Sequence, residues 1–183
     1  MSTLIHKACP ILLRGSPASP QILAFAHPRA GLQIVKGTIE TGENPAVAAL
    51  RELDEEAGIA AATISLSLGS HDDIQPGERW HLFIVSAADL PATWDHAAIG
   101  DDGDTYRFFW HSLGDAEPGG FDPRFLRAMD KVRAAIASGQ IPLASFGQKY
   151  SRRRRPNRVV RAGPCHEEPR PPPSPSCLRA GRG

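Results

Sequence analysis

Three glutamates in one stretch of the chain, Glu52, Glu55 and Glu56, stand at i, i+3 and i+4. On a helix such side chains are neighbours, about 5–6 Å apart at Cβ, and each like-charged pair costs about 0.2–0.5 kcal/mol. Folding alone does not select that arrangement. A hard divalent cation such as Mg2+ reverses the sign, because it takes oxygen ligands and accepts carboxylates together with waters and phosphate. Glu43, just ahead of this stretch, can reach back toward the same place, and the carbonyl of Gly37 can offer a further oxygen. The bland alternative is a solvated acidic face, and for any two of these glutamates taken alone it is the better explanation.

The element that must carry them is a helix. Asn44 suits the N-cap, where its side-chain oxygen can accept from an orphan N–H. Pro45 suits the first helical position, where its missing N–H costs nothing. No residue from Pro45 to Ala57 breaks a helix, and Gly58 supplies a stop. At about 100° per residue, Ala46, Leu50, Leu53 and Ala57 share one stripe, and Glu52, Glu55 and Glu56 share another about 140° away. The first stripe is expected to face a core and the second a cleft.

The whole spacing says more than the glutamates do. Gly37, Glu43, Arg51, Glu52, Glu55, Glu56 and Gly58, with aliphatic Leu53 and Ile59, resemble the Nudix box without departure: glycine-x5-Glu-x7-Arg-Glu-aliphatic-x-Glu-Glu-x-glycine-aliphatic. The resemblance implies a hydrolase that cleaves a nucleoside diphosphate linked to another moiety, X, by water attack at phosphorus with Mg2+ or Mn2+. It implies metal binding by Glu52, Glu55 and Glu56. It makes Arg51 the arginine that holds a catalytic glutamate, and Glu43 a residue that supports the loop and sometimes the metal. The cations neutralise the pyrophosphate, position it and acidify a bound water. The general base differs among family members, either a box glutamate or an acid on a distant loop, and stays open. The motif speaks for the family and not for X.

Other residues could meet substrate. His27, Arg29 and Lys36 precede the box and could meet phosphate; Lys36 adjoins Gly37 and has the best geometric claim, while Arg29 reads equally as an exposed loop residue. Trp80, Trp94, Tyr106 and Phe108 could stack on a base, although aromatics in alternating strands are usually core. Trp94 stands apart because it falls in a polar loop. Asp101, Asp102 and Asp104 could supply a base or a third cation site, but an acidic Gly-containing turn is the commoner explanation.

Composition sets the bounds. The chain has 183 residues, 41% of them hydrophobic, and a net charge of +1. That charge is divided: residues 151–183 carry nine Arg against two Glu, while the first 150 carry 12 basic against 18 acidic residues. Cys9, Cys165 and Cys177 have no metal-ligand spacing, and an odd, sparse count suits a reducing cytoplasm. Neither a signal peptide nor a membrane span is expected.

The strands expected around the box are 6–14, 21–26, 32–35, 63–71, 79–87 and 106–112. Pro10 argues for an edge or a bulge in the first, and 88–105 reads as a long loop. A second helix begins at Pro123, capped by Asp122, and runs to about Ser138 with Phe125, Met129, Val132 and Ile136 at helical spacing. Strands flanking one helix and ending in another give an α/β (α+β) fold, consistent with the α/β/α sandwich and mixed sheet that the resemblance implies. The domain is expected over 1–140. Residues 141–183, with the run Arg152–Arg155 and the Pro-rich PRPPPSPS, are expected to be a disordered tail.

Two other functions compete with a Mg2+-dependent pyrophosphohydrolase. One is a nucleotide-sensing module without turnover, against which the intact glutamates argue. The other is an enzyme of RNA 5′ pyrophosphate ends that uses the basic tail for backbone affinity. The oligomeric state has no signature in the sequence.

Overall fold

The computed structural model describes residues 4–99, 103–114 and 119–146. The chain forms β1 (Ile5–Ser16), β2 (Ser19–His27), β3 (Gly31–Gln33), β4 (Gly37–Thr38), α1 (Pro45–Ala57), β5 (Ala62–His71), β6 (Glu78–Ala87), β7 (Thr93–Ala97), β8 (Thr105–Ser112) and α2 (Pro123–Ala137). A short 3-10 turn follows at Leu143–Phe146. The sheet runs β5-β6-β1-β2-β8-β7, with β4 on β1 and β3 on β2. Among the strand pairs of the described residues, β1 and β6 run parallel and the others antiparallel.

Both faces of this mixed sheet are covered, and the period-2 alternation of the strands assigns each face its residues. Cys9, Ile11 and Leu13 of β1, Ile22 and Ala24 of β2, and Trp80, Leu82 and Ile84 of β6 pack with Phe125, Met129 and Val132 of α2. The intervening Ala8, Leu12, Leu23, Phe25, Phe83 and Val85 pack with Ala48, Ala49, Leu53 and Ala57 of α1. A helix on each side of a mixed sheet is the α/β/α sandwich that the element order implied.

The caps of α1 are the expected ones. Asn44 Oδ1 accepts from Ala46 N–H at 2.8 Å, and Gly58 adopts φ 69°. At the C-terminus, where the last carbonyls have no helical partner, most of them find one outside the helix. Asp54 and Leu53 accept from the N–H groups of Gly58 and Ile59. The Glu55 carbonyl accepts from Ile99 N–H at 3.1 Å, and that of Ala57 from the Trp94 indole at 3.0 Å. β7 and a residue just beyond it, some forty positions downstream, therefore finish this helix.

The structure departs from the sequence reading in five places. Pro10 is neither on an edge strand nor at a bulge. It is buried in central β1, where one side of the strand passes from β4, paired at Lys7 and Ala8, to β2, paired from Leu13 onward. No ladder crosses that gap, so a missing donor is tolerated there. The two-residue β4 lies in what was expected to be loop. The segment 88–105 is not a continuous loop but holds β7, whose alternation rests on only Trp94 and His96 among exposed neighbours. The buried side of α1 includes Ala48, Ala49 and Glu52, and Ala46 and Leu50 are only partly covered. Finally, packing continues past residue 140: Ile141 and Phe146 are buried against the α2 side of the sheet. From 147 onward the expected tail lies outside the described residues.

Candidate functional site

The pairing of β4 with β1 and the approach of α1 create a cleft of about 470 Å³. Glu52, Glu55 and Glu56 line it from α1, with Arg51 among them. Lys36, Gly37 and Thr38 line it from β4 and the residue before it, Lys7 from β1, and Tyr106 from β8.

Arg51 organises the acids. Its Nη1 donates to Glu52 Oε1 at 2.8 Å and to Glu55 Oε2 at 2.9 Å. Nε and Nη2 donate to the two oxygens of Glu43, each at 2.9 Å, and Nη2 also reaches the Thr38 carbonyl at 3.1 Å. Glu43 in turn accepts from the Glu40 N–H at 2.9 Å. A planar guanidinium can make all of these bonds at once, which an ammonium cannot. The network holds the loop 38–43 against the helix and keeps two like charges close together. The bonds from Arg51 depress the Glu43 pKa and, with Glu43 the largest contributor, raise that of Arg51.

Glu52 is the buried member, only 8% exposed. Burial pushes its carboxyl pKa up, and the bond and charge of Arg51 partly offset the shift. It fits only because residue 37 is glycine. A Cβ on Gly37 would lie 1.8 Å from Glu52 Cδ and 1.9 and 2.0 Å from its oxygens. The first glycine of the box is thus the space that the first glutamate of its Arg-Glu pair occupies.

Among the described residues, no three His, Cys, Asp or Glu side chains already converge as a metal cage. The donor set nevertheless fits a hard divalent cation. It is all oxygen, it comes from three acids on one cleft wall, and one acid is pressed against the Gly37 backbone. Nitrogen- or sulfur-seeking metals find no such donors in the cleft.

The other sequence candidates separate. Lys36 lines the cleft. Glu43 does not line it; its carboxylate is engaged by Arg51. Arg29 is 61% exposed along its side chain and pairs with Asp104 at 2.5 Å, away from the cleft lining. Trp94 lies in a strand rather than a loop. Its ring stacks on Phe108 with centroids 4.9 Å apart, its N–H is given to Ala57, and it does not line the cleft. Tyr106 does line it, with its ring stacked on Phe25 at 4.6 Å. Asp101 and Asp102 lie outside the described residues. Sequence reasoning missed Lys7, thirty positions before the box. Only the cross-strand register Lys7↔Thr38 reveals it, and no local spacing carries that signal.

Comparison with known proteins now bears on this arrangement. The family described as NUDIX domain matches residues 11–132, two thirds of the chain. No curated protein matches by sequence. Among solved structures, a UDP-X diphosphatase is similar with a TM-score of 0.55 and 13% identity, over 78% of this chain and 67% of that one. An ADP-ribose pyrophosphatase from Streptococcus suis gives 0.51 and 12%, over 76% and 94%. A C. elegans Ap4A hydrolase gives 0.50 and 18%, over 74% and 99%. At these identities the structures speak for the fold. The family match, with the box unbroken from Gly37 to Ile59, speaks for the class: the chain belongs to the Nudix family and is a hydrolase of diphosphate bonds.

Proposed function

We propose that the protein is a Mg2+- or Mn2+-dependent pyrophosphohydrolase that splits a nucleoside diphosphate linked to a further group X, with water attacking phosphorus. The observation that carries this reading is the meeting of Glu52, Glu55 and Glu56 on one cleft wall around Arg51. In this reading the three glutamates hold the cations, with the Gly37 carbonyl beside them. When bound, the cations supply charge neutralisation of the diphosphate and acidify a water. Arg51 fixes the directions of Glu52 and Glu55, so that little reorganisation remains for the reaction itself. Glu43 positions Arg51. Lys36, just before β4, contacts phosphate from across the cleft. Tyr106, 2% exposed, closes the floor against water.

The catalytic domain in this reading ends near Phe146, and an Arg/Pro-rich tail follows. No helix among the described residues is long and apolar enough to cross a membrane. The sparse cysteines, with Cys9 free and buried, support a reducing, cytoplasmic setting.

The test is a panel of nucleotide derivatives incubated with Mg2+, with phosphate read after a phosphatase coupling step. One member should yield a nucleoside monophosphate. Glu56→Gln should stay folded and lose at least about a hundredfold in kcat, the scale of losing one electrostatic stabiliser. Tight nucleotide binding with no product over long incubation would instead favour a sensing module.

A further inference from the structure

The described residues contain three lysines. Lys131 is paired with Asp73 at 2.5 Å. The other two, Lys7 and Lys36, both line the cleft, and no described carboxylate stands within ion-pair distance of either. Lys7 is not a loose surface cation. It is half-buried on β1, and its Nζ donates to Thr38 Oγ1 at 2.6 Å, one residue beyond Gly37. Lys36 is the residue just before Gly37. Both side chains thus line the cleft beside the backbone against which Glu52 rests; burial and then the charge of Lys36 lower the Lys7 pKa, and the charges of Glu78 and Glu52 partly offset this.

The charge of Glu52 acts on both lysines; once that carboxylate holds a cation, two partly desolvated like charges are unfavourable unless another anion joins them. The three glutamates face divalent cations in the reading above, and those cations already neutralise a diphosphate. The lysine pair is cationic capacity in excess of that need. A phosphate oxygen accepts well from an ammonium point charge, and Thr38 fixes the direction of one of the two donors.

We infer that Lys7 and Lys36 form a subsite for a further phosphate, so that the substrate is a chain of three or more linked phosphates on a nucleoside rather than a nucleoside diphosphate sugar. This rests on the pyrophosphohydrolase reading for its chemistry, but it is a statement about binding and can be tested without turnover. Lys7 touches substrate in this assignment, and Thr38 acts through Lys7 as a positioning residue.

The experiment measures binding of inorganic tripolyphosphate and of pyrophosphate to the full chain with Mg2+ by calorimetry. It compares wild type with Lys7→Met, Lys36→Met and Lys7→Arg, and thermal melts check that each variant is folded. Methionine keeps the apolar stem of the buried lysine. Tripolyphosphate should bind wild type at least tenfold tighter than pyrophosphate. Lys7→Met and Lys36→Met should each weaken tripolyphosphate about tenfold and pyrophosphate less than threefold, and Lys7→Arg should restore most of the difference. In kinetics, Lys7→Met should raise KM for a nucleoside triphosphate or dinucleoside tetraphosphate about tenfold and leave kcat within twofold. Equal affinity of wild type for the two anions, or equal losses for both in the variants, overturns the inference. If the anions bind as expected but no nucleotide is cleaved, the hydrolase reading fails and the subsite stands.

Discussion

A single methyl group placed on Gly37 separates positioning from folding at this site. The Cβ of Gly37→Ala would fall 1.8 Å from Glu52 Cδ. Carbon atoms rest at about 3.5–4.0 Å, so the carboxylate must retreat by about 2 Å. The backbone does not resist the change, because Gly37 is not among the glycines with positive φ. The displaced carboxylate gives up its 2.8 Å bond to Arg51, a loss of about 1–2 kcal/mol. Reduced freedom of the unfolded chain returns about 0.4–1 kcal/mol, so the net destabilisation is about 1 kcal/mol. Activity should respond differently, because a misplacement of about 1 Å in a reacting constellation costs about a hundredfold. The expected result is kcat at least about a hundredfold down, about 2.7 kcal/mol in barrier, with the urea midpoint nearly unchanged. The assay is steady-state phosphate release on the best panel substrate, run beside urea denaturation. Turnover within threefold of wild type would falsify the claim that Glu52 must lie against residue 37. A collapse of stability large enough to explain the lost activity would refute the claim that the space is needed by the site and not by the fold.

Further outcomes follow from the same geometry. Arg51→Lys keeps the charge but not the fork; it should cost about 2 kcal/mol by urea unfolding, reflecting partly exposed charge-assisted bonds, and lower kcat as well. Trp94→Phe loses only the bond to Ala57 and should cost about 1 kcal/mol. Trp94→Ala also loses the stack on Phe108 and should cost about 3 kcal/mol; neither variant should change KM by more than about twofold once melts show folded protein. Asp122 caps α2 by accepting from Arg124 N–H at 2.9 Å, and that bond lowers its pKa. A depressed carboxylate contributes stability that is fully present above its unfolded pKa and is lost as pH falls through the folded value. Asp122→Ala should therefore cost about 1 kcal/mol at neutral pH, and the gap to wild type should close below about pH 4, where unfolded Asp titrates. Chelation with EDTA should abolish turnover, and added Mn2+ should restore it.

Much of the site was legible because it is local. The run from Asn44 to Gly58 carries its own caps and no breaker, so both ends of α1 follow from residue types alone, and three acids at i, i+3 and i+4 must share a helix edge. Long-range facts were not legible. Lys7 reaches the cleft only through the register of β1 on β4, and β4 is two residues long. The helical wheel put the glutamates together on a stripe expected to face a cleft, yet Glu52 is buried, since its position depends on a glycine that arrives from another element. β7 was invisible because a strand with two covered side chains shows little alternation. Trp94 drew attention as a polar-loop aromatic, whereas its ring serves the packing of β7 on β8. Pro10 misled because a proline in a central strand is tolerated where the neighbouring ladder is interrupted, and sequence does not show interruptions.

The last turn of α1 has a consequence for synthesis. Its Glu55 and Ala57 carbonyls are satisfied by Ile99 and Trp94, residues that leave the ribosome well after the helix itself. Closing a loop of that length precedes any reward from the contact. A nascent chain stopped at residue 87 holds every acid of the box and still lacks the donors that tie down its final turn. The glutamate-bearing edge should therefore acquire its native order only after β7 emerges, which pulsed hydrogen exchange on stalled chains would register as late protection at residues 55–59.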